Sequence, residues 1–324
     1  MNTKLLKYLK WVGIVLAVLF LLYTLFLFPL ALPFLMDNIS NVSDNDFMSV
    51  LGQMGDSYGI FNALFSGLAF LGVIATLYIQ SRDNKKRKVV EQFYQMLDVQ
   101  QKVIDEINVS QVRKPRQGEP ISQVKGRMAF AEFKIQMKNL VIAIKEVSQK
   151  NGFDFTDIEI ADIAYAVFFY GSSKTWKPFM MDYLKDYPET EHLVDAIIAR
   201  LESEKRFYLS RPNHNYLSVY FRNMYNVIKL IDNSELIDIE EKNEYVKILR
   251  SQLSNAELYI LFFNLISRFG KKWIDNDYIN KYQLIQNLPP KYCDGYNPKD
   301  YFSEIRFESE ELCLSPFKEK IVTK

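Results

Sequence analysis

Few side chains in this sequence are of a type and spacing that could do chemistry. Only two histidines, His192 and His214, offer imidazoles for proton transfer. An arginine and a histidine at a suitable spacing on a helix could cleave RNA, the guanidinium holding phosphate and the imidazole moving the proton. Arg211 stands too close to His214 for that arrangement and Arg206 too far. Two cysteines, Cys293 and Cys313, form no C-x-x-C pair and have no partnered histidines, so neither a zinc knuckle nor a disulfide framework is signalled. They read as idle thiols in a reducing compartment. There is no Gly-rich phosphate loop, no H-E-x-x-H, no nucleophile elbow and no carboxylate cluster at metal spacing. The sequence thus points to no catalytic residue, no metal and no cofactor.

The residues that do stand out act on a different partner. From Gly59 to Ser81 no side chain is charged, and then Arg82, Lys85, Lys86, Arg87 and Lys88 crowd together. A run of about 20 apolar residues is what a helix needs to cross roughly 30 Å of hydrocarbon while bonding its own backbone. Residues 58–80 fit that length, and 11–36 form a second such run, with Pro29 and Pro33 near its far end. The first run is too long for the apolar part of a signal peptide and lacks a small-x-small cleavage site. Lys4, Lys7 and Lys10 precede the first run, the basic cluster follows the second, and the intervening 37–57 carries Asp37, Asp44, Asp46 and Asp56 with no Lys or Arg. By the positive-inside rule both termini are cytoplasmic, in a multi-pass membrane protein. The basic cluster is a topology signal that can also hold anionic lipid headgroups.

Within the spans, Gly59, Ala63 and Gly67 recur every four residues and place three small side chains on one helix face; Gly13 and Ala17 offer a shorter version in the first run. Such faces let helix backbones approach closely in lipid. Two readings stay open: the two spans pack on each other, or the face assembles several chains around a common axis. Neither span contains an ionisable residue, which argues against a dedicated ion path.

The elements that must carry these groups are helical almost throughout, so the fold class is all-α: two N-terminal transmembrane helices in a membrane region, 1–88, then a cytoplasmic helical bundle, 89–324. Phe93, Met96, Leu97, Val103, Ile104 and Ile107 mark an apolar stripe directly after the basic cluster, so the second span is expected to continue as a helix. Pro115, Gly118 and Pro120 break the chain. Met128, Phe133, Met137, Leu140, Val141, Ile144 and Val147 define the next amphipathic helix, ended by Asn151 and Gly152. Thr156 with Glu159, and Ser254 with Glu257, match the capping box, while Gly171 and Gly270 sit where C-caps are expected. The segment 255–270 is apolar on nearly every face and should be a central helix. The aromatic stretch 287–302 reads as a loop wrapping the bundle. Across the whole chain the net charge is +1, which gives no global drive toward nucleic acid. Direct nucleic-acid binding stays open.

The segments "GRMAF" (126–130), "NYLSVYFRNMYNVIKLID" (215–232) and "YVKILRSQLSNAELYILFFNLIS" (245–267) resemble, in this order, the phage abortive infection family, also called AbiC-like. Two N-terminal spans followed by "EQFYQMLDVQQKVIDEI" fit the same resemblance. It implies antiviral defence by abortive infection, through a membrane effector in a bacterial inner membrane. It also implies, for some two-span members, a place in retron systems beside a reverse transcriptase and its noncoding RNA. Members commonly carry a histidine after the Y-F-R triplet, where this chain has Asn223, a departure that weakens an imidazole mechanism. The residues themselves read as structural: Arg222 at the polar edge of an apolar face, Arg250 and Glu257 at a helix junction. The expected function is a non-enzymatic effector that perturbs the inner membrane, acting on the lipid bilayer as a homo-oligomer. The alternatives are a membrane-anchored nuclease and a scaffold that recruits a separate toxin.

The topology reading has a direct check. In a cysteine-free background, an impermeant thiol reagent should label Asn45→Cys in intact spheroplasts and spare Lys150→Cys; the opposite pattern would overturn the orientation.

Overall fold

The computed structural model describes residues 12, 13, 16, 17, 20, 44–112, 122–173, 175–203 and 208–308, with the backbone alone for 44–62. The described residues fall into two compact units that meet in sequence between Ser81 and Arg82.

In the first unit, Val12, Gly13, Leu16, Ala17 and Phe20 are helical, and a long helix α1, Asp44–Glu106, begins. The hydropathy boundary at Tyr58 therefore understates this helix, because it starts at Asp44. Its first turns carry Phe47, Leu51 and Met54 at helical spacing between acidic and polar residues, a pattern a hydropathy average reads as a loop.

The second unit takes in the rest of α1 and a helical bundle. A short antiparallel hairpin follows α1, with β1 (Asn108–Ser110) paired to β2 (Gln123–Lys125) in the register Asn108 to Lys125 and Ser110 to Gln123. Three residues per strand are too few for a period-two signal, so the sequence offered no hint of it. The helices are α2 (Ala129–Asn151), α3 (Asp157–Tyr170), α4 (Lys177–Leu184), α5 (Thr190–Ser203), α6 (His214–Asp232), α7 (Ile239–Ser251) and α8 (Asn255–Ile266), then short α9 (Lys271–Asp275), α10 (Tyr278–Lys281) and α11 (Pro298–Tyr301). Helix α2 packs against α3, α5 and α8; α3 also meets α4, α6 and α8.

Local signals explain these boundaries. Both capping boxes form: Thr156 Oγ1 accepts from the Glu159 N–H while Glu159 Oε2 accepts from the Thr156 N–H, and Ser254 with Glu257 repeat the arrangement. Each cap stabilises its helix by about 1 kcal/mol. Helices α3 and α8 are the most deeply buried, with 160–168 and 257–265 inside. Buried Phe93, Leu97 and Ile104 of α1, and Ile107 just past its end, join the same core. The stretch 287–302 is less irregular than the sequence suggested, since it folds into a 3-10 turn at Pro290–Tyr292 and α11.

Gly171 ends α3 at φ 75°, as a C-cap should. Gly270 does something else. Helix α8 ends at Ile266, and Gly270 closes a following 3-10 turn with φ −76°, a conformation any residue adopts. What demands glycine is proximity, because a Cβ there would lie 2.4 Å from Leu265 O and 2.6 Å from Leu265 Cα. Backbone cannot retreat as a flexible side chain can, so Gly270→Ala should cost on the order of 1–3 kcal/mol. Thermal unfolding of the detergent-solubilised protein measures this; an unchanged midpoint would show that the turn relaxes freely.

Candidate functional site

From Ala63 to Ser81 every residue of α1 is exposed. Leu68, Phe70, Leu71, Leu77 and Tyr78 are all more than half exposed, and the helix is long and apolar enough to cross a membrane. Water would not tolerate an apolar surface of this extent on a lone chain, so it marks a face that meets lipid or protein. Gly59, Ala63 and Gly67 lie on α1, and Gly13 and Ala17 are helical and exposed. Among the described residues, a Cβ built at Gly13 or Gly67 meets nothing within 4 Å. Among the described residues the two apolar runs meet through aromatic rings, those of Phe20 and Phe65 lying 4.6 Å apart.

From Arg82 onward α1 is held by a graded series of contacts. Arg82, Lys85, Arg87 and Lys88 are exposed, while Lys86 is half-buried and pairs with Glu241 of α7 at 2.5 Å. Two turns further, buried Phe93 meets the edge of Tyr245, centroids 5.1 Å apart. Next, Asn223 of α6 donates to the Met96 carbonyl at 3.1 Å and to Gln100 Oε1 at 2.7 Å. The residue after the Y-F-R triplet thus ties α6 to α1.

Beside this contact lies the fully buried carboxylate of Glu257. Besides closing the Ser254 capping box, it accepts from Tyr220 Oη at 3.1 Å and faces Arg127 Nε at 3.2 Å. Burial, then the neighbouring Glu257 charge, pushes the Tyr220 hydroxyl well above the usual range, which keeps it a donor. Arg250 donates to the carbonyls of Tyr282 and Gln283, stapling α7 to the turn after α10. Glu257 and Arg250 are therefore junction residues, as their sequence positions suggested, and Arg222 is exposed.

A second buried carboxylate, Asp162, was missed from the sequence. It accepts from Tyr183 Oη, Tyr187 Oη, and the N–H and Nε of Arg268 at 2.7–2.9 Å. An Asp past the first turn of α3, amid the apolar stretch 160–168, was the signal available. Such a fully bonded carboxylate fixes structure and has no acceptor site left for chemistry.

The groups considered for catalysis are each engaged with other neighbours. His214 opens α6 with its ring 3.9 Å from that of Trp176, and burial lowers its pKa. The Arg211 guanidinium is occupied by Ser110 O and Gln136 Oε1, both at 2.9 Å, and burial brings its pKa down to about 10, so it stays charged. Exposed His192 rests against Phe153. Cys293 is buried, which pushes its thiol up to about 12 and leaves it unreactive. Arg206 and Cys313 lie outside the described residues. A cavity of about 170 Å³ lined by Lys138, Ile142, Tyr259, Phe263, Asp294 and Tyr296 is smaller than the ~300 Å³ of an ordinary ligand site.

Geometry therefore defines a helical protein in which, among the described residues, the long helix α1 is held beyond Arg82 by α6 and α7. Residues 212–292 match the family model described as putative phage abortive infection protein. This bears out the sequence resemblance over the segment that holds "NYLSVYFRNMYNVIKLID" and "YVKILRSQLSNAELYILFFNLIS"; "GRMAF" lies outside it. No curated protein and no solved structure matches the chain.

Replacing Asn223 by Leu keeps the volume but removes both bonds to α1 and leaves buried Gln100 Oε1 unpaired. The expected loss is about 1–3 kcal/mol, together with faster amide hydrogen exchange in 93–106. Exchange unchanged in that segment would show that Asn223 does not hold α1.

Proposed function

We propose that this protein is an antiviral membrane effector of abortive infection: infection is sensed by the helical unit, and the repacking of membrane-spanning helices then breaks the integrity of the inner membrane. One observation carries this reading. The helix with the exposed apolar surface, α1, is also the helix gripped by Asn223, Glu241 and Tyr245, and all three residues fall in the segment matching the abortive infection family. A signal that loosens α6–α8 would thereby change what holds α1.

In this reading residues 58–80 cross the bilayer, about 34 Å at 1.5 Å per residue, against a hydrocarbon thickness of roughly 30 Å. Residues 11–36 supply a second span, and both termini are cytoplasmic, consistent with the charge asymmetry of the flanks. Several copies associate through Gly59, Ala63 and Gly67. The open space around a Cβ at Gly67 supports this, because such a face is free to receive another helix. A reverse transcriptase with noncoding RNA is the partner this reading adopts from the family resemblance, and co-purification tests it.

The packing of His214 on Trp176 and the bonding of Arg211 to Ser110 and Gln136 favour a membrane action over a nuclease. Gly67→Leu should insert normally, since Leu favours the bilayer, yet obstruct close packing at about 1 kcal/mol or more per contact. At matched abundance, a potential-sensitive dye and plaque counts should report loss of depolarisation and of phage protection. Full activity would remove the assembly step. RNA or DNA cleavage preceding depolarisation in the unaltered protein would replace the whole reading with that of an anchored nuclease.

A further inference from the structure

The basic cluster is not uniform. Arg82, Lys85, Arg87 and Lys88 are exposed and make no ion pair among the described residues, whereas Lys86 donates to both carboxylate oxygens of Glu241, at 2.7 and 2.5 Å. Glu241 sits in the first turn of α7, beside Glu240 and capped at its N–H by Asp238. Its side chain keeps 41% of its exposure, so a competitor can reach the pair from solvent. The layers beneath are drier: Tyr245 against buried Phe93, then Asn223 on Gln100. The outermost contact between α1 and α7 is also the one most open to exchange.

We propose that Lys86 is a lipid-sensitive latch, in which an anionic phospholipid headgroup competes with Glu241 for the lysine ammonium and so releases the first turn of α7 from α1. This rests on the membrane reading above. Lys86 lies five residues past Ser81, about 7.5 Å along a helix, which matches the roughly 5–8 Å of headgroup layer on one side of a bilayer. The four exposed cations around it concentrate anionic lipid at that place. An exposed ion pair and the attraction of one lysine to an anionic surface are of the same small order, so lipid composition decides which partner Lys86 keeps. Once the lysine is taken, Glu240, Glu241 and Glu244 face a surface of their own sign and withdraw.

The test uses the full chain reconstituted in vesicles of phosphatidylcholine alone, or of equal parts phosphatidylcholine and phosphatidylglycerol. A zero-length carbodiimide couples a lysine to a carboxylate in direct contact. Peptide mass spectrometry reads the Lys86–Glu241 cross-link relative to Lys138–Asp294, a pair at 2.7 Å that does not involve α1. The ratio should fall at least about threefold in the anionic vesicles and stay unchanged when soluble glycerol phosphate is added to the neutral ones. An equal ratio in both vesicles overturns the latch, and an equal fall with glycerol phosphate assigns the competitor to soluble phosphate and overturns it too. A chain that enters neither vesicle removes the membrane reading and the latch together, whereas one that inserts with an unchanged ratio removes the latch alone.

Discussion

The buried carboxylate of Glu257 is the contact on which the junction of the helical unit turns. A charge removed from water is tolerated only when it is paired and bonded. Glu257 meets that demand by drawing together Ser254 at the start of α8, Tyr220 from the middle of α6 and Arg127 from the turn after the hairpin. Three elements distant in sequence are fixed by one side chain. The position of α6 follows from this, and with it the position of Asn223, which reaches α1 from the same helix.

Asp162 plays the corresponding part on the other side of α3. It gathers Tyr183 and Tyr187, which flank the end of α4, and Arg268 from the turn after α8, and the Arg268 guanidinium also lies 4.3 Å from the Tyr183 ring centroid. Both carboxylates thus sit in the buried, largely apolar stretches of their helices and convert generic hydrophobic packing into a specific arrangement. Hydrophobic burial drives the unit together without direction. The two acids say which turn meets which.

This arrangement bears on function through α1. A helix that is fully exposed over 63–81 and deeply buried at Phe93, Leu97 and Ile104 has two different environments along one chain segment. The polar contacts that hold its buried part are few and of unequal strength. A half-exposed ion pair contributes little, an aromatic edge contact more, and the part-buried amide pair on buried Gln100 most, because it is better shielded from water. Release of such a series begins at its outer end.

Much of this was legible in the sequence, and for a local reason. Hydropathy, helical period and capping are properties of neighbours a few residues apart, so the apolar run to Ser81, the stripe from Phe93 to Ile107, both capping boxes and the buried α8 were readable without coordinates. The start of α1 at Asp44 was not, because acidic residues within an amphipathic turn average to a loop, and a hairpin of three residues per strand has too little period to register. Gly270 was read as a C-cap when its neighbour Leu265 is what requires glycine, a contact only the fold creates. The pairings lie furthest from the reach of sequence: Lys86 with Glu241, Asn223 with Gln100 and Asp162 with Arg268 join residues a hundred or more positions apart. One-dimensional pattern states that a polar residue sits on an apolar face, but the partner that satisfies it is chosen by how the helices pack.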